Sequence, residues 1–124
     1  MLIIPDTNFL IYLSKYKLWH NLEKEYGRYK LIVLPELVYE LDKLSKRGKD
    51  KESALLALEL TSRITRIRKR KGYGDKAILK IASMLKKNKK RFIIATMDKD
   101  LIKKLKKQNM KILTIRQKKY LREI

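Results

Sequence analysis

Four acids stand out in a chain that otherwise avoids them: Asp6 behind "LIIP", Glu40 inside "LPELVYEL", Asp75 in "GYGD" and Asp98 in "ATMD". Gathered at one place without a counterion, carboxylates repel by ~4 kcal/mol per pair at 4 Å and an effective dielectric of about 20. A divalent cation removes that repulsion. With no cysteine and one histidine in the chain, any such ion must sit on oxygen, which selects the hard ions Mg²⁺ or Mn²⁺. One or two of these ions can lower the pKa of a bound water, neutralise a scissile phosphate and, if paired about 4 Å apart, stabilise attacking and leaving oxygens together. Asp is also a favoured helix N-cap, and Asp6, Asp75 and Asp98 each stand at a helix start. A cap is worth about 1 kcal/mol and Ser, Thr or Asn would serve as well, so capping explains neither Glu40 nor the recurrence of acids.

The elements that must position these acids are readable from apolar patterning. The runs "LIIP" (2–5), "LIVLP" (31–35), "FIIAT" (92–96) and "KILTI" (111–115) are short and nearly continuously apolar, as strands buried on both faces must be. "ITRIR" (64–68) alternates and suits an edge. Helical periods lie between them: Leu37, Val38, Leu41 and Leu44; then Ile78, Ile81, Ala82 and Leu85; then a shorter set at Leu101, Ile102 and Leu105. "SALLALEL" (53–60) is apolar nearly all round, which predicts a buried helix. Strands alternating with helices predict an α/β fold with parallel strands, whose carboxyl ends share one ligand-binding rim. Asp6, Asp75 and Asp98 fall on that rim. Glu40 flanks the Leu37, Leu41, Leu44 stripe by ~60° and is expected to face the top of the sheet, whereas Glu36 and Asp42 point toward solvent.

Charge points to the partner. The 124 residues hold 33 Lys plus Arg against 13 Asp plus Glu, a formal net charge of +20 that attracts polyanions, nucleic acid first among them. The length suits a single domain, residues 1–124, with a basic C-terminal segment at 116–124 read as a terminal arm or short helix. No apolar run approaches the ~20 residues of a membrane span, and "MLIIPD" lacks the positive flank of a signal peptide, so a cytoplasmic protein without a membrane partner is expected. The basic breakers are candidate RNA contacts: Lys46, Arg47 and Lys49; Arg70 and Lys71 with Tyr73, whose ring can stack on a base; and Arg116, Lys118 and Lys119. His20, beside Trp19, reads as a helix-surface residue with no catalytic role.

With these residues in hand, the chain resembles the PIN-domain nucleases. "DTNFL" (6–10), "LPELVYEL" (34–41), "GYGDKAILKIA" (72–82) and "ATMDKDL" (95–101) are similar to the four family motifs, in order, and "TIRQKK" (114–119) resembles the ending of the branch holding archaeal VapC-like and small-subunit rRNA-processing nucleases. The resemblance implies a PIN-like three-layer sandwich with a five-stranded parallel sheet in the order 3-2-1-4-5. It further implies metal-dependent cleavage of single-stranded RNA to 5′-phosphate and 3′-hydroxyl ends. By it, Asp6, Glu40, Asp75 and Asp98 are the catalytic acids, as metal ligands or as holders of metal-bound water, Asn8 and Thr96 orient them by hydrogen bonds, and Asp100 is either an accessory acid or a solvated first-turn residue. A single acid at the third motif, where two are common, leaves one or two ions open.

Within that resemblance the expected role is rRNA processing on single-stranded or structured RNA. The alternatives are a VapC-like toxin with a cognate antitoxin and a catalytically inactive RNA-binding module. A ribosome-assembly partner and a homodimer are open, dimers being common in the family.

Overall fold

A parallel strand buried on both faces must be apolar at every position, and Ile3 and Ile4, both fully buried, meet that demand in opposite directions. The computed structural model describes residues 1–61 and 74–124, with residues 75–77 described by their backbone alone. Strand β1 (Leu2–Pro5) lies between β2 (Lys30–Leu31) and β3 (Phe92–Ala95), both parallel to it. Strand β4 (Ile112–Arg116) pairs parallel with β3, and β5 (Tyr120–Glu123) returns antiparallel along β4, so the order is β2-β1-β3-β4-β5.

The period of two along the strands sorts side chains into two cores. Ile3, Ile93 and Leu113 face a layer built from α1 (Thr7–Lys15), α2 (Trp19–Tyr26), α3 (Pro35–Lys46) and α4 (Lys51–Thr61), packing with Phe9, Leu22, Leu41 and Ala57. Ile4, Ile94 and Ile112 face the other way, against α5 (Gly74–Lys87) and α6 (Lys99–Lys107), where Ile78, Ala82, Leu101 and Leu105 meet them. The result is a three-layer α/β sandwich with a five-stranded sheet at its centre. No helix among the described residues is long and apolar enough to cross a membrane.

The four apolar runs occupy the four neighbouring places β2-β1-β3-β4, but the sheet departs from an all-parallel one at its edge. Its fifth strand is β5, drawn from the 116–124 segment that patterning assigns to an arm or short helix; "ITRIR" lies outside the described residues. Gln117 and Lys118 both take left-handed φ values, 54° and 57°, and the Lys119 amide donates to the Arg116 carbonyl at 3.0 Å, closing a tight turn of the hand that suits the sheet twist. Tyr26 Oη then donates to Glu123 Oε1 at 2.6 Å and ties β5 to α2. Burial, with the Glu123 carboxylate beside it, raises the Tyr26 phenol well above its ordinary range.

Two helices are more exposed than their periodicity suggests. Helix α4 packs against α1 and α3 through Ala54, Ala57 and Thr61, small residues at i, i+3 and i+7 that let the backbones approach, and this turns Leu55 (48% exposed) and Leu56 (41%) outward. Leu44, at the end of the α3 stripe, is 38% exposed. Helix α3 starts one residue after Leu34 because Pro35 has a preset φ and needs no amide partner at the first helical position.

Candidate active site

Every parallel strand delivers its next residue to the carboxyl-end rim, and the residue types found there decide what the rim can do. Register sets the level: Pro5 pairs with Ala95 and Ala95 with Leu113, so Asp6, Thr96 and Thr114 emerge one step above them. The Asp6 amide donates to Ala95 O at 2.9 Å, and the Thr96 amide to Leu113 O at 3.0 Å, continuing the ladder to the rim.

Asp6 caps α1. Its Oδ1 accepts the Phe9 amide at 2.8 Å, and its Oδ2 accepts the hydroxyl of Thr96, a residue with no solvent exposure. The same Thr96 oxygen accepts the Asp98 amide at 3.0 Å. Asp98 in turn caps α6, its Oδ1 accepting the amides of Asp100 at 2.9 Å and Leu101 at 3.2 Å. One buried hydroxyl therefore joins the two acidic residues that follow β1 and β3. Met97 secures the neighbouring strand: its Sδ accepts the Ile115 amide at 3.2 Å and the Thr114 hydroxyl at 3.4 Å. Nothing in the sequence marks this last contact, since a Met between Thr and Asp carries no pattern of its own.

The charge logic of this rim is unusual for two acids. Helices α1 and α6 both begin here, and the partial positive charge of their amino ends attracts anions, a phosphate included. Asp6 is half-buried and Asp98 exposed, so the pair opens to solvent on one side. An ionised carboxylate offers about four lone-pair sites, so these bonds do not exhaust either group. A hard divalent ion takes one or two carboxylates and completes its shell with waters and substrate phosphates, and the oxygen donors of Asp6 and Asp98 suit it.

The remaining expected residues are distributed as follows. Glu40 is exposed on α3, and Asn8 and Asp100 are exposed in the first turns of α1 and α6. Asp75 lies in the first turn of α5; its side chain is outside the described atoms. Among the described residues, no group of three or more His, Asp or Glu side chains gathers closely enough to hold a metal ion. Glu36, expected toward solvent, is half-buried, with its Oε2 shielded. His20 is exposed on α2.

Of the expected RNA contacts, Lys46 lies 3.3 Å from Asp42, while Arg47 and Lys49 are exposed after α3. Arg70, Lys71 and Tyr73 lie outside the described residues. Arg116, Lys118 and Lys119 are exposed at the β4–β5 turn, and Lys118 Nζ stands 5.9 Å from the centre of the Tyr16 ring. Because β4 runs three residues past the level of Ala95, this turn rises ~10 Å above the end of β3, a basic wall beside the acids.

A largely parallel five-stranded α/β sandwich with acids on the carboxyl-end rim defines the fold class, and comparison narrows it. Residues 3–118 match the family model described as "PIN like domain", and the chain belongs to that family. It is 36% identical to Ribonuclease VapC4 of Methanocaldococcus jannaschii, over 95% of this chain and 92% of that protein. Among solved structures, it is similar to the PIN domain endonuclease Utp24 with a TM-score of 0.72 and 25% identity, covering 98% of this chain and 90% of that one. It also shares its fold with a chain of VapBC2 from Rickettsia felis, solved bound to a promoter DNA fragment, at a TM-score of 0.53 and 16% identity, covering 93% and 99%.

Proposed function

We propose that this protein is a metal-dependent endoribonuclease, a single domain that cleaves single-stranded RNA to 5′-phosphate and 3′-hydroxyl ends. The observation that carries the proposal is the Thr96 hydroxyl, which binds the Asp6 carboxylate and the Asp98 amide at once and so holds two acids on one rim. The similarity to a ribonuclease across nearly the whole chain and the +20 charge support RNA as the substrate.

In this reading Asp6, Glu40, Asp75 and Asp98 would hold Mg²⁺ or Mn²⁺. The ion, when bound, supplies an activated water and neutralises charge on the scissile phosphate. Thr96 fixes the Asp6 carboxylate, Asn8 orients its neighbours and Asp100 acts as an accessory acid. In the same reading Lys46, Arg47, Lys49, Arg116, Lys118 and Lys119 hold the phosphates, with Arg70, Lys71 and Tyr73 nearby in sequence to Asp75.

Two cellular roles divide the reading. The likeness to the PIN domain endonuclease Utp24 supports endonucleolytic cleavage, which we read as RNA processing with a ribosome-assembly partner; the identity with Ribonuclease VapC4 keeps open a toxin-type ribonuclease with an antitoxin. We read the protein as cytoplasmic under either role. The test is cleavage of end-labelled single-stranded RNA with Mg²⁺ or Mn²⁺, against EDTA and against Asp6→Asn. Asp6→Asn keeps the shape and the helix cap and removes the charge, so cleavage is expected to disappear while RNA binding persists. Equal cleavage by variant and wild type sinks the proposal.

A further inference from the structure

Far from the rim, at the amino ends of the strands, the chain spends charge that the site described above does not use. Helix α6 begins at Asp98 and runs back along the sheet, because it links two parallel strands; α5 ends at the same pole, before β3. Both helices close with the same arrangement, a left-handed residue after the last turn: Lys89 (φ 54°) after α5 and Asn109 (φ 56°) after α6. Lys90 and Met110 then donate to Leu85 O and Leu105 O, at 2.9 and 3.1 Å. Lys86 Nζ reaches across to the Gln108 carbonyl, and between the two helix ends lies an open cleft of about 540 Å³ lined by Lys86, Lys87, Lys107, Ser83, Gln108 and Asn109.

The chain segments that build this cleft are basic. No acid occurs between Lys76 and Met97 or between Leu101 and Arg122, and ion pairs among the described residues join Lys15 to Asp50 and Lys46 to Asp42, both elsewhere. Leu101 and Leu105 of α6 are buried, and Lys99, Lys103 and Lys107 form an exposed ridge at i, i+4 and i+8 on the opposite side. At 1.5 Å per residue that ridge is ~12 Å long. It runs from the Asp98 cap to the cleft, with Asp98 and Asp100 the acids at its upper end.

Stability accounts for only part of it. Cations in a last turn complement the helix dipole, which covers Lys86, Lys87, Lys106 and Lys107, but Lys99 sits at the positive end of α6 and Lys103 in its middle. Like charges at i and i+4 destabilise a helix. Insertion into a bilayer needs a free apolar stripe, and the apolar side of α6 is buried against the sheet; electrostatic attachment to anionic lipid is what the vesicle measurement below tests. A polyanion that needs phosphate contacts alone fits.

We propose that the α6 lysine ridge and the cleft between the ends of α5 and α6 form a second RNA site, which holds the strand where it continues beyond the rim. The inference rests on the ribonuclease reading only for the path of the strand. Each phosphate neutralised on a single strand contributes about 0.7 to the slope of log affinity against log salt. The triple variant Lys86→Gln, Lys103→Gln, Lys107→Gln should therefore lower that slope by about 2, and weaken binding about a hundredfold at 0.1 M salt if the curves converge near 1 M.

The probe is a fluorescein-labelled single-stranded RNA of about 20 nucleotides, titrated in EDTA so that cleavage plays no part. Two controls accompany it: the Arg triple at the same positions, which should bind like the wild type, and Lys24→Gln, Lys30→Gln, Lys51→Gln, which removes equal charge from other faces and should leave the slope unchanged. The second site is overturned if the cleft triple loses less than about one unit of slope relative to that equal-charge control. It is overturned equally if RNA binding is kept while binding to phosphatidylserine vesicles is lost. A chain that binds this way yet never cleaves would defeat the nuclease reading and leave the second site standing.

Discussion

Replacing Thr96 by Val changes one buried group and interrogates the whole rim. Val preserves the β-branched shape and volume, so packing is nearly untouched, but the hydroxyl that donates to the Asp6 carboxylate and accepts the Asp98 amide disappears. A hydrogen bond to a charged group is worth about 1.5–3 kcal/mol, and a buried amide left without an acceptor costs about 1–3 kcal/mol. The two share one oxygen and relax together, so they do not add in full; a loss of about 2–4 kcal/mol is expected. Thr96→Ser keeps the hydroxyl and removes one buried methyl, about 1 kcal/mol. Urea denaturation of the three proteins measures the differences directly, and cleavage assays under folding conditions report the same order. If Val and Ser fall within about 0.5 kcal/mol of each other, the hydroxyl does not join the acids in solution and the reasoning fails.

Three other expectations can be checked alongside. Asp98→Ala removes the α6 cap and should cost about 1 kcal/mol of stability, whereas Asp98→Asn retains the cap; both should lose cleavage, which separates capping from chemistry. Ile94→Ala, deep between β1, β4 and the α5–α6 layer, should cost about 2–5 kcal/mol by calorimetry or denaturant, since the rigid sheet cannot close the cavity. The Tyr26 phenol is raised in the folded state above its value of 10.0 in the unfolded chain. Its contribution is therefore fully present below pH 10 and is lost as pH climbs toward the folded value, so stability should fall above about pH 10 in the wild type and fall less steeply in Tyr26→Phe.

How much of this was legible beforehand depends on which physical signal each element carries. The four inner strands announce themselves because burial on both faces forces continuous apolar runs, and Leu37, Leu41, Ile78 and Ala82 mark their helices because only a period near 3.6 puts them inside. Asp6, Thr96 and Asp98 reached the rim because a parallel sheet leaves them nowhere else to go. The β4–β5 hairpin escaped notice because its turn is Gln117–Lys118, without the Asn or Gly that such left-handed turns favour, and because β5 is mostly exposed and so has no apolar alternation to read. Helix α4 misled for a related reason: apolar composition reports what a helix can bury, and small residues, which composition underweights, chose the buried side. Where Glu40 stands relative to the rim is a matter of the rotation and tilt of α3, which a helical wheel does not contain.

The central claim is that a hard cation sits between the residues following β1 and β3. Crystals soaked in Mn²⁺ and measured at its absorption edge would test it directly. An anomalous peak at the rim, about 2.1 Å from oxygens of Asp6 and Asp98 and absent in Asp6→Asn, is the result expected. Ordered carboxylates with no peak beside them, or a peak bound elsewhere on the chain, would contradict it.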